Sequence, residues 1–393
     1  MTESLDRGAK RRSAPPILQN AFRPFFLGGA VWAALLVPLW ISEYLGWTGF
    51  LHGMTGHAHE MLYGFLAAII CGFALTAIPN WTGRAPVAGA GLAGLFGLWL
   101  AGRAAYLADG GPWVSWLDHA FLPVLSAVVI REILAGKNWR NLPIAVLIGL
   151  FTLSHLAFHF PEFSGAAIRA TFAVTVLLIA LIGGRIVPSF TRNWLAQHQP
   201  AAVEGLAPPM QRFDMLVIGL TAIAVTGWTV FPCAAPTGLV MMVAGAGQFA
   251  RLARWKGFRT FGEPLVWSLH TGFLWLPVSL ALTGASIVLP GYVPAAAGLH
   301  AIAAGLIGSM TLAVMTRASL GHTGRPRTAG RLTTLIYGLV HAGAVLRVIS
   351  AFQANEPVLL ISAAVLWSSA FALFAAGYAP MLWGARPPVR APG

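Results

Sequence analysis

His57-Ala58-His59-Glu60-Met61-Leu62-Tyr63-Gly64-Phe65-Leu66-Ala67-Ala68-Ile69-Ile70-Cys71-Gly72-Phe73-Ala74-Leu75-Thr76-Ala77-Ile78-Pro79-Asn80 reads as one membrane-crossing helix. From Met61 onward it carries no charge. Roughly 20 apolar residues, rising about 1.5 Å each, span a hydrocarbon core of about 30 Å. Its opening turn holds two imidazoles and a carboxylate, groups that are costly away from water and point to function.

The same pattern recurs outward from this segment. Apolar runs at about 24–46, 57–80, 86–107, 113–134, 141–160, 165–190, 213–232, 235–254, 264–288, 293–317, 331–352 and 357–384 predict an all-α polytopic bundle of about twelve transmembrane helices. Composition agrees. Of 393 residues 57 % are hydrophobic and only 9 % charged, whereas a soluble domain carries roughly a quarter charged residues. The 44 glycines and 26 prolines suit membrane helices, and the 15 tryptophans suit an interfacial belt. The longest loop, 191–212, divides the chain into six-helix halves at 24–190 and 213–384. A basic tail (1–23) precedes them and a short tail (385–393) follows. No strong repeat relates the halves. The first apolar run is too long for a signal-peptide core and is expected to be retained. Cys71 and Cys233 form no motif, which excludes a disulfide framework.

Charge sets the orientation. The net charge of +13 is scattered singly through short loops and does not form a nucleic-acid-binding face. With both termini in the cytoplasm of a bacterial inner membrane, all but three of the 25 basic residues fall on the inner side. They include Lys10, Arg11, Arg12, Arg84 and Arg390. The exceptions are Arg103, Arg169 and Arg347, in the outer halves of their helices. Two readings stand for them: snorkelling to outer headgroups, or neutralising anionic groups such as porphyrin propionates.

Eleven histidines is a high count for so apolar a chain. His57, His59, His119, His155, His159 and His300 fall in the outer half, His341 near mid-depth, and His270 nearer the cytoplasm. Neutral imidazole suits haem iron, copper and zinc. One helix histidine is readily explained by an interhelical hydrogen bond, but a set this large points to metal. His57 and His59 lie about 200° apart on a helix and cannot share an ion unless the helix begins after them. Glu60 is either a proton acceptor or metal ligand, or a solvated carboxylate at a helix start. The expected site draws His57 or His59 together with His270, His300 and His341. Their spread in depth fits two centres, or one haem and one histidine-bound metal, better than a single ion.

Several segments together resemble the NnrS family of haem- and copper-containing membrane proteins linked to denitrification and nitric oxide stress. They are Phe22-Arg23-Pro24-Phe25-Phe26, His57-Ala58-His59-Glu60-Met61 with Gly64-Phe65, Asn80-Trp81-Thr82-Gly83-Arg84, and Met315-Thr316-Arg317 followed by Gly321-His322-Thr323-Gly324-Arg325. The resemblance implies haem, with copper or iron as a second metal. No CxxCH motif is present, so the haem is expected to be non-covalent and b-type. Three functions follow. One is an oxidoreductase that reduces nitric oxide to nitrous oxide, fed by quinol or a separate redox protein, with Glu60 relaying protons. The others are a non-catalytic haem sensor or protector, and a metal or small-solute transporter.

A green fluorescent protein fused after Gly393 should fluoresce, and alkaline phosphatase fused there should be inactive. The reverse result would invert the topology.

Overall fold

The structure is a computed structural model that describes residues 13–108 and 112–387. Lys10, Arg11, Arg12 and Arg390 lie outside the described residues. It is all-helical, with a helix at each of the twelve expected places. These are α1 (Phe22–Tyr44), α2 (Gly53–Thr82), α3 (Ala90–Ala108), α4 (Pro112–Ala135), α5 (Leu142–Phe158) and α6 (Pro161–His198). They continue as α7 (Arg212–Val230), α8 (Ala235–Arg254), α9 (Pro264–Val288), α10 (Ala295–His322), α11 (Arg331–Phe352) and α12 (Pro357–Trp383). Among the described residues ten of these are long and apolar enough to cross a membrane; α4 and α8 are not in that set. Asp118, His119, Arg131 and Glu132 dilute α4, and Gln248, Arg251 and Arg254 dilute α8.

Two compact units are distinguished by contact rather than by chain order. The first holds Met1–Ala157, Met315–Arg327 and Phe371–Gly393. The second holds Phe158–Val314 and Thr328–Ala370.

In the first unit small residues let helices approach closely, as membrane packing requires. Gly102 of α3 lies so near α4 that a Cβ there would sit 3.1 Å from the Asp118 Cα. Gly72 of α2 gives the same access to Phe26 of α1. Phe25 fills the space between, with its ring centroid 5.3 Å from that of Phe96 and 5.8 Å from that of Phe121. At the other end of the unit Arg23 donates to the Leu382 and Gly384 carbonyls at 2.8 and 2.7 Å, closing the α12 terminus. Arg84 pairs with buried Glu132 at 2.6 Å, so that Thr-Gly-Arg turn is tied to α4.

In the second unit α8 and α9 meet backbone to backbone at Gly238, where a Cβ would lie 2.7 Å from the Gly284 carbonyl. Buried Arg251 of α8 is held by Asp214 of α7 at 2.9 Å and by Gln248 at 2.8 Å.

Two helices widen from α to π geometry for seven residues, α2 at Glu60–Leu66 and α10 at Ala301–Ile307. A widened turn takes carbonyls off the helical ladder, and each needs another donor. The Gly64 carbonyl takes the Trp99 indole N–H at 3.0 Å, and the Ala304 carbonyl takes that of Trp367 at 3.1 Å.

Gly102→Leu should lower the melting temperature by forcing α3 from α4, an overpacking cost of about 1–3 kcal/mol. Gly94→Leu, where an added Cβ meets nothing within 4 Å, should be neutral. Equal melting curves for both variants would contradict the close approach.

Candidate metal centre

The site begins in the turn before α2. The Glu43 carboxylate accepts the Leu51 and Gly53 backbone N–H groups, both at 2.5 Å. Gly53, at φ +78°, then starts the helix four residues ahead of His57. Because the helix begins before both histidines, their side chains diverge. His57 stacks on Trp40, with centroids 4.9 Å apart and planes 14° apart. His59 is fully buried and turns into the first unit.

There His59 is fixed from two directions. Its ring lies face to face on Tyr106, with centroids 3.9 Å and planes 5° apart. Its Nδ1 lies 2.9 Å from Glu60 Oε1. An ionised carboxylate only accepts, so Nδ1 carries the hydrogen and Nε2 presents a lone pair. Glu60 is itself held by the Trp32 indole at 2.9 Å on Oε2 and by Arg103 Nη1 at 2.5 Å on Oε1. Arg103 reaches across with Nη2 to Asp118 Oδ1. One buried guanidinium thus holds two buried carboxylates in charged, acceptor-only form.

The other oxygen of Asp118 and two imidazoles then converge. His59 Nε2 is 3.0 Å from Asp118 Oδ2 and 3.3 Å from His155 Nε2. His155 Nε2 is 3.2 Å from Asp118 Oδ2. His59, Asp118 and His155 are 0 %, 1 % and 1 % exposed, so bulk water does not resolve this crowding of electron pairs. Either a hydrogen on His155 Nε2, given to Asp118 Oδ2, or a metal ion must sit among them. The spacing fits a metal. A tetrahedral ion with bonds of about 2.0–2.1 Å has ligand atoms about 3.3 Å apart along each edge. The three atoms form one such triangular face, and the fourth position is left for a small ligand. Two imidazoles and one carboxylate, with no sulfur, suit iron(II), zinc or copper(II) better than copper(I). The Glu60 carboxylate behind His59 is the usual outer partner that orients a ligating histidine.

Of the residues singled out from sequence, His59, Glu60 and Arg103 meet here. Arg103 neutralises anionic groups, one of the two roles expected for it, and the groups are two protein carboxylates. His57 faces Trp40. Arg169 lies 3.4 Å from the Thr229 carbonyl, and Arg347 donates to Asn355 Oδ1 at 3.1 Å. In the second unit His270 Nε2 bonds Thr191 Oγ1 at 2.7 Å. His341 is held between Thr271 Oγ1 and the Trp275 indole, each at 3.0 Å. His300 Nδ1 bonds the Ala296 carbonyl at 2.9 Å. The companions of His59 are therefore Asp118 and His155, which sequence reasoning noticed but did not join to it. The signal was present in charge. A lone arginine in the outer half of a membrane helix needs acids at its own depth, and Glu60 and Asp118 are both there.

A family model described as NnrS protein matches residues 16–386. The chain belongs to the NnrS family. No curated protein matches it. Family and helices together make it a multi-pass membrane protein related to nitric oxide, and this NnrS chain holds a buried His/Asp cluster in its first unit.

His59→Ala, Asp118→Asn and His155→Ala should each cut bound metal at least tenfold, read by elemental analysis of purified protein, while His198→Ala should leave it unchanged. Arg103→Leu strands two buried carboxylates and should destabilise by about 3–5 kcal/mol. If all three ligand variants keep their full metal, the centre is a proton-sharing cluster.

Proposed function

We propose that this NnrS protein crosses the bacterial inner membrane twelve times, with both termini in the cytoplasm, and reduces nitric oxide to nitrous oxide. Two molecules of nitric oxide, two electrons and two protons give one nitrous oxide and one water. The electrons come from quinol or a separate redox protein.

The observation that carries this reading is the buried three-ligand face of His59, Asp118 and His155. Haem b and the second metal, when bound, supply the places where nitric oxide is held and electrons enter. The protein's own groups do the rest. His59, Asp118 and His155 hold the ion. Arg103 keeps Asp118 and Glu60 ionised, so one ligates and the other accepts. Glu60, bonded to His59 Nδ1 and Trp32 Nε1, is the acid nearest the centre and relays protons. With one arginine against two carboxylates the protein part carries one net negative charge. A divalent ion reverses that, and so favours an electron-rich small molecule at the open position.

The same burial also suits a protein that binds nitric oxide without turning it over. Purified protein given a chemical reductant under nitric oxide should consume it, releasing one nitrous oxide per two nitric oxide. Glu60→Gln should slow this at least tenfold while metal content stays full. Stoichiometric binding with no turnover would select the sensor or protector, and metal accumulation in proteoliposomes would select the transporter.

A further inference from the structure

α2 is one of two helices of its kind. His59 and His300, Gly64 and Gly305, Thr82 and Thr323, Gly83 and Gly324, and Arg84 and Arg325 are identical pairs at one constant interval along the chain. The same interval carries Gly97-Leu98 onto Gly338-Leu339 and Ala101-Gly102 onto Ala342-Gly343. No strong repeat was expected between the two halves of six helices. This one joins α1–α4 to α9–α12, so a comparison of halves passes over it.

The structure repeats what the sequence repeats, each unit by itself. In both, a short helix ends on the histidine and a seven-residue π segment follows at once. A tryptophan of the preceding long helix lies against the π-segment glycine, Trp32 on Gly64 and Trp275 on Gly305. Gly102 packs on Asp118 and Gly343 packs on Trp367, so Trp367 stands where Asp118 stands. By the constant interval Ala301 replaces Glu60, Ala344 replaces Arg103, Leu359 replaces Asp118 and Arg347 replaces Tyr106. The histidine is kept, while both acids and the arginine that joins them are gone.

We infer that the second unit holds a counterpart of the metal centre without its acids, built on His300 and suited to a macrocyclic iron cofactor rather than a bare cation. A divalent ion brought to membrane depth needs anionic ligands to balance it, which Asp118 supplies with Glu60 behind it. Nothing at the matching positions of the second unit does this. A porphyrin carries its own anionic nitrogens, so its iron asks only a neutral imidazole of the protein. His300 meets that demand. A carbonyl only accepts, so Nδ1–H is given to Ala296 and the lone pair lies on Nε2, the tautomer that ligates. Two other histidines deep in the helices of the unit, His270 and His341, are unsuited. His341 takes the Trp275 N–H on Nδ1, which leaves its hydrogen on Nε2 for Thr271. Thr191 gives its own hydrogen to the Val187 carbonyl, so His270 Nε2 carries the hydrogen there, and its Nδ1 is walled in by the Gly257 backbone. The assignment rests on the reading that the protein carries haem, and it divides labour: haem at His300, a bare ion at His59.

The test compares haem content by pyridine haemochrome with divalent metal by elemental analysis in wild type and three variants. His300→Ala should fall below one tenth of the wild-type haem and keep its metal. His300→Met should keep haem with a shifted reduced-minus-oxidised spectrum, which shows that the iron feels this side chain. His59→Ala should lose metal and keep haem. Full haem with an unchanged spectrum in both His300 variants overturns the assignment while leaving a haem protein. Wild type free of haem overturns the reading beneath it as well.

Discussion

Placing ionised groups at membrane depth costs several kcal/mol each unless partners are pre-arranged. Glu60, Arg103 and Asp118 lie 0 %, 2 % and 1 % exposed, and the one arginine is shared by both acids. Arg103 must therefore sit between the acids, which brings α2, α3 and α4 to one depth and one register. With Oδ1 held by Arg103, the other oxygen of Asp118 meets His59 and His155. The cation-binding face is a consequence of that arrangement and of its one net negative charge. Removing the arginine would undo the fold of the unit and the site together.

Local structure serves the same constraint. An unbroken α-helix would carry Glu60 and Gly64 along one face without opening a carbonyl to the side. At the π segment the Gly64 carbonyl takes the Trp99 indole as well as the Ala67 N–H, which anchors α2 on α3 one turn from Arg103. Gly102 removes the side chain that would hold α3 from Asp118. Each device is small, and each sets the separation of the charged groups.

The helices were legible because lipid leaves the backbone no other choice: a helix stands at each of the twelve apolar runs, ten of them among the described residues long and apolar enough to cross, and α6 runs on to His198, into the expected 191–212 loop. The ninth and eleventh match their expected limits at 264–288 and 331–352. The site was legible in part. His59, Glu60 and Arg103 were named, but Arg103 was matched to lipid or an anionic cofactor because its side of the membrane was read before its depth. His155 was named only among the histidines of the outer half, since local periodicity says nothing about which helices adjoin. The repeat was missed for a similar reason. Its identities are a histidine, glycines and a Thr-Gly-Arg turn, and these mean something only when the π segments and glycine contacts show what each position does.

The central claim is that His59, Asp118 and His155 form a ligand face for a metal ion. X-ray absorption at the metal edge of the purified protein tests it most directly. The account predicts a first shell of nitrogen and oxygen only, at about 2.0–2.2 Å, with the outer-shell signature of two imidazoles. A sulfur shell, an all-oxygen shell, or no bound transition metal beyond haem iron would contradict it.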